Sequence, residues 1–218
     1  MKKYLLLIFF TFLLLVGCNT TKDDVLSEEQ IFQLTQELKN DINEAILESE
    51  SKLSTELKVF TSFPAYDRWR EVLPGFNKLE ASYLNKIDKV LASALINISD
   101  VLLSYIKDYQ IQDVNLLVKQ GYSSLSEILE QNMSMEVKAI FKKTIEDESD
   151  SIDFYYKALE QEAFIWKSNI DNLALVGINN DLEMIDKIDD ELIAELATEI
   201  YFNVLSQSEV KVRTAREV

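Results

Sequence analysis

NKLEASYLNKIDKVLASALINISDVLLSYIKD, residues Asn77 to Asp108, decides the fold class. Its apolar positions fall at Leu79, Tyr83, Ile87, Val90/Leu91, Ala94/Leu95, Ile98, Val101/Leu102 and Tyr105. Steps of three and four over that length give one apolar stripe on an α-helix, wide enough to be packed along most of its course. A helix of this length needs other helices to cover its stripe, and the rest of the chain supplies them. Beyond residue 17 the sequence holds only Gly75, Gly121 and Gly177, with Pro64 and Pro74 as its two prolines, so breakers are rare.

Working outward, Ser27-Glu28-Glu29-Gln30 reads as a capping box, followed by Ile31, Leu34, Leu38, Ile42 and Ile46 on one face. This first helix is expected to fray or bend within Glu48 to Ser54. FTSFPAYDRWREVLPG, Phe60 to Gly75, is the irregular stretch: Pro64 pushes Phe63 toward an extended conformation, and Asp67 to Leu73 reads as a short helix stopped by Pro74-Gly75. After the long helix come Asp113 to Gln120, ended by Gly121; Leu125 to Gln131, opened by Ser124-Leu125-Ser126-Glu127; and Met135 to Asp147, capped by Ser134. The acidic run Glu146 to Asp150 reads as a solvated turn. Ile152, Tyr155/Tyr156, Leu159, Ala163, Trp166, Ile170 and Leu173 mark another long helix, broken at Gly177 and Asn179-Asn180. A last helix is expected from Asp181, with Leu182, Ile185, Ile188, Leu192, Leu196, Ile200 and Val204 on its inner face, and a polar tail, 211–218, that frays. No internal period recurs and no low-complexity linker divides the chain. The expectation is an all-α fold: one compact domain of about seven helices over residues 27–210.

The beginning of the chain follows another logic. Met1-Lys2-Lys3 is positive, Tyr4 to Val16 is apolar apart from Thr11, and small Gly17 precedes Cys18, the only cysteine. That is the layout of an export leader, and its apolar core is short of the roughly 20 residues that span a bilayer. Leu15-Val16-Gly17-Cys18 resembles the bacterial lipobox. The resemblance implies cleavage before Cys18, a diacylglyceryl group on its sulfur and acylation of the new amino terminus. Two or more chains anchor stably where one gives only marginal attachment. Residues 1–17 are then the leader and 18–26 a lipidated cysteine with a polar tether; Asn19 to Leu26 reaches roughly 27 Å when extended. Under the sorting rule that accompanies the resemblance, Asn19 in place of aspartate favours the outer membrane.

Composition excludes several chemistries. Removing residues 1–17 takes away Lys2 and Lys3 and no acid, so 20 of the 22 basic residues remain against 38 acidic ones, a net charge of −18. Such a field repels phosphate backbones and anionic lipid headgroups, and nucleic acid is not an expected partner. The chain has no histidine, and its one cysteine is assigned to the lipid. Zinc sites built on His or Cys, Ser-His-Asp triads, thiol nucleophiles and disulfides are therefore excluded, and neither a metal nor a cofactor is expected.

Three further segments carry a resemblance: FPAYDRWREVLPGFNKLE (63–80), IKDYQIQDVNLLVKQG (106–121) and NDLEMIDKIDDELIAELATEIY (180–201). Their order and spacing resemble an uncharacterised family of small bacterial exported and lipid-anchored proteins, catalogued as a domain of unknown function. The family more often has paired glycines where this chain has Gln120-Gly121. The resemblance implies an all-helical envelope protein and transfers no catalytic residue.

Four residues are candidates for binding. Arg68-Trp69-Arg70 places two cations around an aromatic, a pattern suited to a carboxylate, phosphate or sugar-bearing ligand. The competing reading, and the favoured one, packs Trp69 inward and pairs both arginines with the chain's own acids. Asp113 stands before a short helix, where capping is favoured over ligand binding. Phe154-Tyr155-Tyr156 reads as core plus rim, and Asp186, Asp189, Asp190 and Glu191 as a solvated face, since a calcium loop's central glycine is missing. The sequence thus points to a membrane-anchored binding module with an envelope protein as the expected partner. The alternatives are a peptidoglycan-active enzyme working with carboxylates alone and a carrier of small apolar ligands.

Overall fold

The computed structural model describes residues 26–174 and 182–216. Cys18, its tether up to Val25, Gly177 and Asn179-Asn180 lie outside them. Among the described residues there are seven α-helices, one 3-10 turn and no strand: α1 (Glu28–Glu56), the turn Pro64–Tyr66, α2 (Asp67–Val72), α3 (Phe76–Asp108), α4 (Val114–Gln120), α5 (Ser124–Asp147), α6 (Ser149–Ala174) and α7 (Asp190–Arg216). The chain divides into two units at Gln33/Leu34. In the first, the capping box forms reciprocally: the Gln30 amide N–H donates to Ser27 Oγ, and the Ser27 amide N–H donates to Gln30 Oε1.

The second unit is a helical bundle around α3. Ile87, Leu91, Leu95, Ile98 and Leu102 of α3 are buried, and the helix packs against α5 and α6. α3 is long and apolar enough to cross a membrane by length and composition; its central place in the bundle accounts for that hydropathy. The most extensive pairing joins α5 to α7, which run antiparallel: Ser126 meets Glu209, Lys138 meets Glu195 and Lys142 meets Glu191. From Leu34 onward α1 runs antiparallel to α3, since Lys39 donates to the Lys107 carbonyl at 3.0 Å while the Val59 amide, just beyond the helix, donates to Asp88 at 3.0 Å.

The bundle therefore has two distinguishable ends. One gathers α1 around Lys39 and Asp41, the ends of α3 and α7, and α4. The other gathers the residues after α1, the turn, α2, the start of α3 and the segment entering α7.

Several expectations change. α1 continues helical through Glu48–Ser54 to Glu56, because Ser49 and Leu53 are buried and extend its inner face. Leu125–Gln131 and Met135–Asp147 are not separate helices: α5 runs unbroken, so Ser134 lies inside it and caps nothing. The N-cap of α5 is Ser123, whose hydroxyl donates to Glu127 at 2.8 Å. The turn between α5 and α6 narrows to Glu148 alone.

The largest change concerns the last helix. Residues 182–189 have no regular structure and α7 begins at Asp190. Leu182, Ile185 and Ile188 are still buried; a spacing of three suits an extended three-fold ribbon as well as a helix. With the helix starting later, its inner face turns by one residue to Ile193, Ala197, Tyr201 and Leu205, leaving Leu192 exposed and Leu196, Ile200 and Val204 on the flank. Nor does 211–216 fray as expected: α7 continues to Arg216, with Val212 and Arg213 buried.

Candidate functional site

Pro64 fixes the entry to α2, and Phe63 is extended as the proline demands (φ −102°, ψ 118°). The two turns that follow stack an aromatic wall: Phe63 and Tyr66 edge to face with centroids 5.1 Å apart, Tyr66 on Phe76 at 5.9 Å, and Trp69 stacked on Phe76 at 6.2 Å. Trp69 is 2 % exposed and its Nε1 donates to the Glu183 carbonyl at 3.0 Å. Tyr66 donates to the Asp186 carbonyl at 2.6 Å, and Tyr156 of α6 donates to the Ile185 carbonyl at 3.1 Å. Segment 182–189 thus hands main-chain carbonyls to aromatic side chains, which is how its backbone is satisfied without helical bonds. Burial pushes the Tyr156 hydroxyl up to about 12 and moves Tyr66 and Tyr83 further in the same direction, so all three stay neutral, and Tyr66 and Tyr156 keep their protons to donate.

The Arg-Trp-Arg cluster is absorbed into this end of the bundle. Arg70 pairs with Asp67 and with Glu80, which is 3 % exposed, and donates to the Phe63 carbonyl at 3.3 Å. Glu80 in turn accepts from the Phe63 amide at 2.9 Å. Of the three residues only Arg68 is exposed, and it makes no ion pair among the described residues. A clamp built from both guanidiniums needs both free to meet a ligand, and here that of Arg70 is consumed by Asp67 and Glu80. Asp113 sits at the opposite end as the N-cap of α4, accepting from the Leu116 amide at 2.9 Å. Arg68, Trp69 and Arg70 are together on α2; Asp113 is not brought to them.

The acidic face expected of Asp186, Asp189, Asp190 and Glu191 is divided among tasks. Asp189 accepts from the Glu191 amide at 2.7 Å, Asp190 pairs with Lys187, and Glu191 pairs with Lys138 and Lys142 at 2.8 Å each. Those two ammonium groups hold the exposed Glu191 carboxyl down at about 2. Phe154 and Tyr155 point outward while Tyr156 points inward, the rim-and-core split read from the sequence. Among the described residues no group of three His, Cys, Asp or Glu side chains is placed to hold a metal ion.

The sequence reading missed a second polar centre. Glu209, fully buried on α7, accepts from the Ser126 amide at 2.8 Å and the Leu125 amide at 3.3 Å, capping α5 from another helix. Arg213 donates to Glu209 at 3.1 Å, to the Gly121 carbonyl at 3.0 Å and to Ser124 Oγ at 3.2 Å, with its guanidinium 5.3 Å from the centre of the Tyr122 ring. Burial pushes the Glu209 carboxyl up, against the pull of the Ser126 and Leu125 amides and of Arg213. The signal was present as Glu209 and Arg213 one helical turn apart, continuing the stripe of Leu205 and Val212.

Open space lies between α5 and α7. One hollow of about 280 Å³ is lined by Ser126, Glu127, Glu130, Glu199, Phe202, Asn203 and Ser206. Another, of about 290 Å³, shares Glu130 and Glu199 and adds Ser134, Met135, Lys138, Glu195 and Thr198. Together they make an acidic surface groove. The three carboxyls that burial pushes up, Asp41, Asp88 and Glu209, line neither hollow: Asp41 pairs with Arg216, Asp88 holds the Val59 amide and Glu209 caps α5. No family model, no curated protein and no solved structure matches this chain.

Proposed function

We propose that the protein is a lipoprotein of the bacterial cell envelope whose helical domain is a non-catalytic binding module. The observation that carries the reading is the order of residues 1–24: a positive start, an apolar core, Leu15-Val16-Gly17-Cys18, and a polar follow-on. Cys18 is the lipidation site, the acyl chains on it hold the domain at the membrane, and Asn19 favours the periplasmic face of the outer membrane. Kinship with the exported helical family is proposed on the segments quoted above, of which the first two keep their short helices, Asp67–Val72 and Val114–Gln120.

Support for a binding role over catalysis comes from how the polar groups are used. Trp69, Arg70, Asp113 and Glu209 are each bound to the protein's own backbone or side chains, which suits a rigid scaffold. An apolar carrier wants an apolar cavity, whereas the hollows between α5 and α7 are rimmed by glutamates. Intact-mass analysis of protein isolated from bacterial membranes tests the anchor: loss of residues 1–17 with a gain of two or three acyl chains supports it, and a free Cys18 thiol or retained leader overturns it. Muropeptide release from purified sacculi would move the reading to the peptidoglycan-active alternative.

A further inference from the structure

We propose that the aromatic wall around Tyr66, Trp69, Tyr83 and Tyr156 is a peptide-binding groove that segment 182–189 fills in cis, and that an extended segment of a partner protein, apolar at every third residue, takes its place; this deepens the binding-module reading and rests on it. The segment is held as a bound peptide is held. Among the described residues its one main-chain to main-chain hydrogen bond runs from the Ile193 amide to the Asp189 carbonyl, which opens α7. Its other carbonyls are held by side chains of three separate elements: Trp69 of α2 donates to Glu183, Tyr156 of α6 to Ile185, and Tyr66 of the 3-10 turn to Asp186. Leu182, Ile185 and Ile188 are buried with these rings in one core. An indole and phenols that donate to the carbonyls of a ribbon with three-residue periodicity are the chemistry by which aromatic-lined grooves take extended peptides.

Two observations make the cis segment a replaceable occupant. It leaves the groove one hydrogen bond short: the fully buried Tyr83 hydroxyl lies by the main chain of Ile188 with no acceptor for its proton among the described residues. A foreign segment that offers a carbonyl there gains what the cis segment forgoes. The cis segment also has a second conformation open to it. Ile185, Ile188, Leu192, Leu196 and Ile200 are spaced by three and four, so the segment once released prolongs α7 by about two helical turns along one apolar stripe. In the present state that stripe is only partly covered, and Leu192 stands 38 % exposed. Tethering keeps the cis segment at an effective concentration on the order of millimolar, so only a partner segment that fits the groove better displaces it. That partner needs no charge at the contact, since the donors are neutral and ask for carbonyl oxygens.

The test uses the full chain purified from bacterial membranes in detergent and, as probe, a fluorescein-labelled peptide of sequence LEMIDKID, residues 182–189. Leu182→Ser together with Ile188→Ser weakens the cis segment and leaves the wall intact. By fluorescence anisotropy the peptide should bind this variant roughly tenfold or more tightly than it binds the unaltered chain. Adding Trp69→Phe, which keeps a ring and removes the indole donor, should loosen that binding about fivefold, and a peptide with serine in place of Leu182, Ile185 and Ile188 should not bind. Equal affinity for variant and unaltered chain, or binding indifferent to Trp69→Phe, overturns the groove. Should the serine variant not fold, hydrogen exchange of the unaltered chain decides: the Trp69 indole proton, bonded to the Glu183 carbonyl, is expected to exchange roughly a hundredfold faster than the amides of Leu91 to Ile98 in α3, and exchange at their rate overturns the proposal. Absence of peptide binding by a folded serine variant strikes the groove and leaves the anchored module standing, whereas muropeptide release strikes that module whatever the peptide does.

Discussion

The two ends of the bundle are fastened by opposite chemistry. Around segment 182–189, Tyr66, Trp69 and Tyr156 give neutral hydrogen bonds to main-chain carbonyls. At the other end a fully buried glutamate and a buried arginine lock α7 to the start of α5. Neutral donors hold an irregular segment at small desolvation cost and no response to pH. A buried ion pair fixes geometry but leaves a costly charge behind when either partner is lost.

Removing Trp69 is the strongest way to probe the neutral end. Trp69→Ala deletes a buried indole stacked on Phe76 and frees the Glu183 carbonyl; a loss of about 3–5 kcal/mol is expected in urea unfolding. A change within the range of ordinary surface substitutions would mean that segment 182–189 is held by its own apolar residues alone.

Arg213→Met probes the charged end and should cost roughly 3 kcal/mol at neutral pH, because Glu209 keeps its charge without its cation. The two ends then separate by pH. Burial holds the folded Glu209 carboxyl above its ordinary 4.5, so between 4.5 and its folded pKa the native state binds a proton that the unfolded chain has released. Its ionisation penalty is fully present above the folded value and fades as pH falls toward 4.5. The deficit of Arg213→Met should therefore shrink between pH 7 and pH 5, whereas that of Trp69→Ala should stay constant; parallel behaviour in unfolding series would erase the distinction.

Tyr66→Phe keeps the ring and removes one hydrogen bond to Asp186, with about 1 kcal/mol expected in the same measurement. Smallest is Glu191→Gln. Its two lysine partners lie at the surface, so the change in thermal midpoint should be slight in low salt and vanish in high salt.

How far the sequence carried depended on what each segment used to satisfy itself. α3 and α6 were legible because their stripes repeat over many turns and are answered by burial of Ile87, Leu91, Leu95, Leu159 and Ala163. Asp113 and the Ser27 box were legible because capping is local. Leu182, Ile185 and Ile188 misled because their spacing fits two backbone conformations, and the choice fell to donors about 30 to 120 residues away in the chain. The end of α7 misled because a polar tail reads as solvated unless its charges are known to meet buried partners. Of the candidate residues, the inward turn of Trp69 and the capping by Asp113 were readable, while Arg70's commitment to Glu80 ten residues on required the fold.

By itself, then, the sequence determined an all-helical chain without histidine chemistry, since periodicity and composition are properties of residues taken in order. Only tertiary structure decided where the last helix begins and which face it buries, because side-chain donors brought in from distant helices satisfied the backbone of 182–189 in place of helical hydrogen bonds.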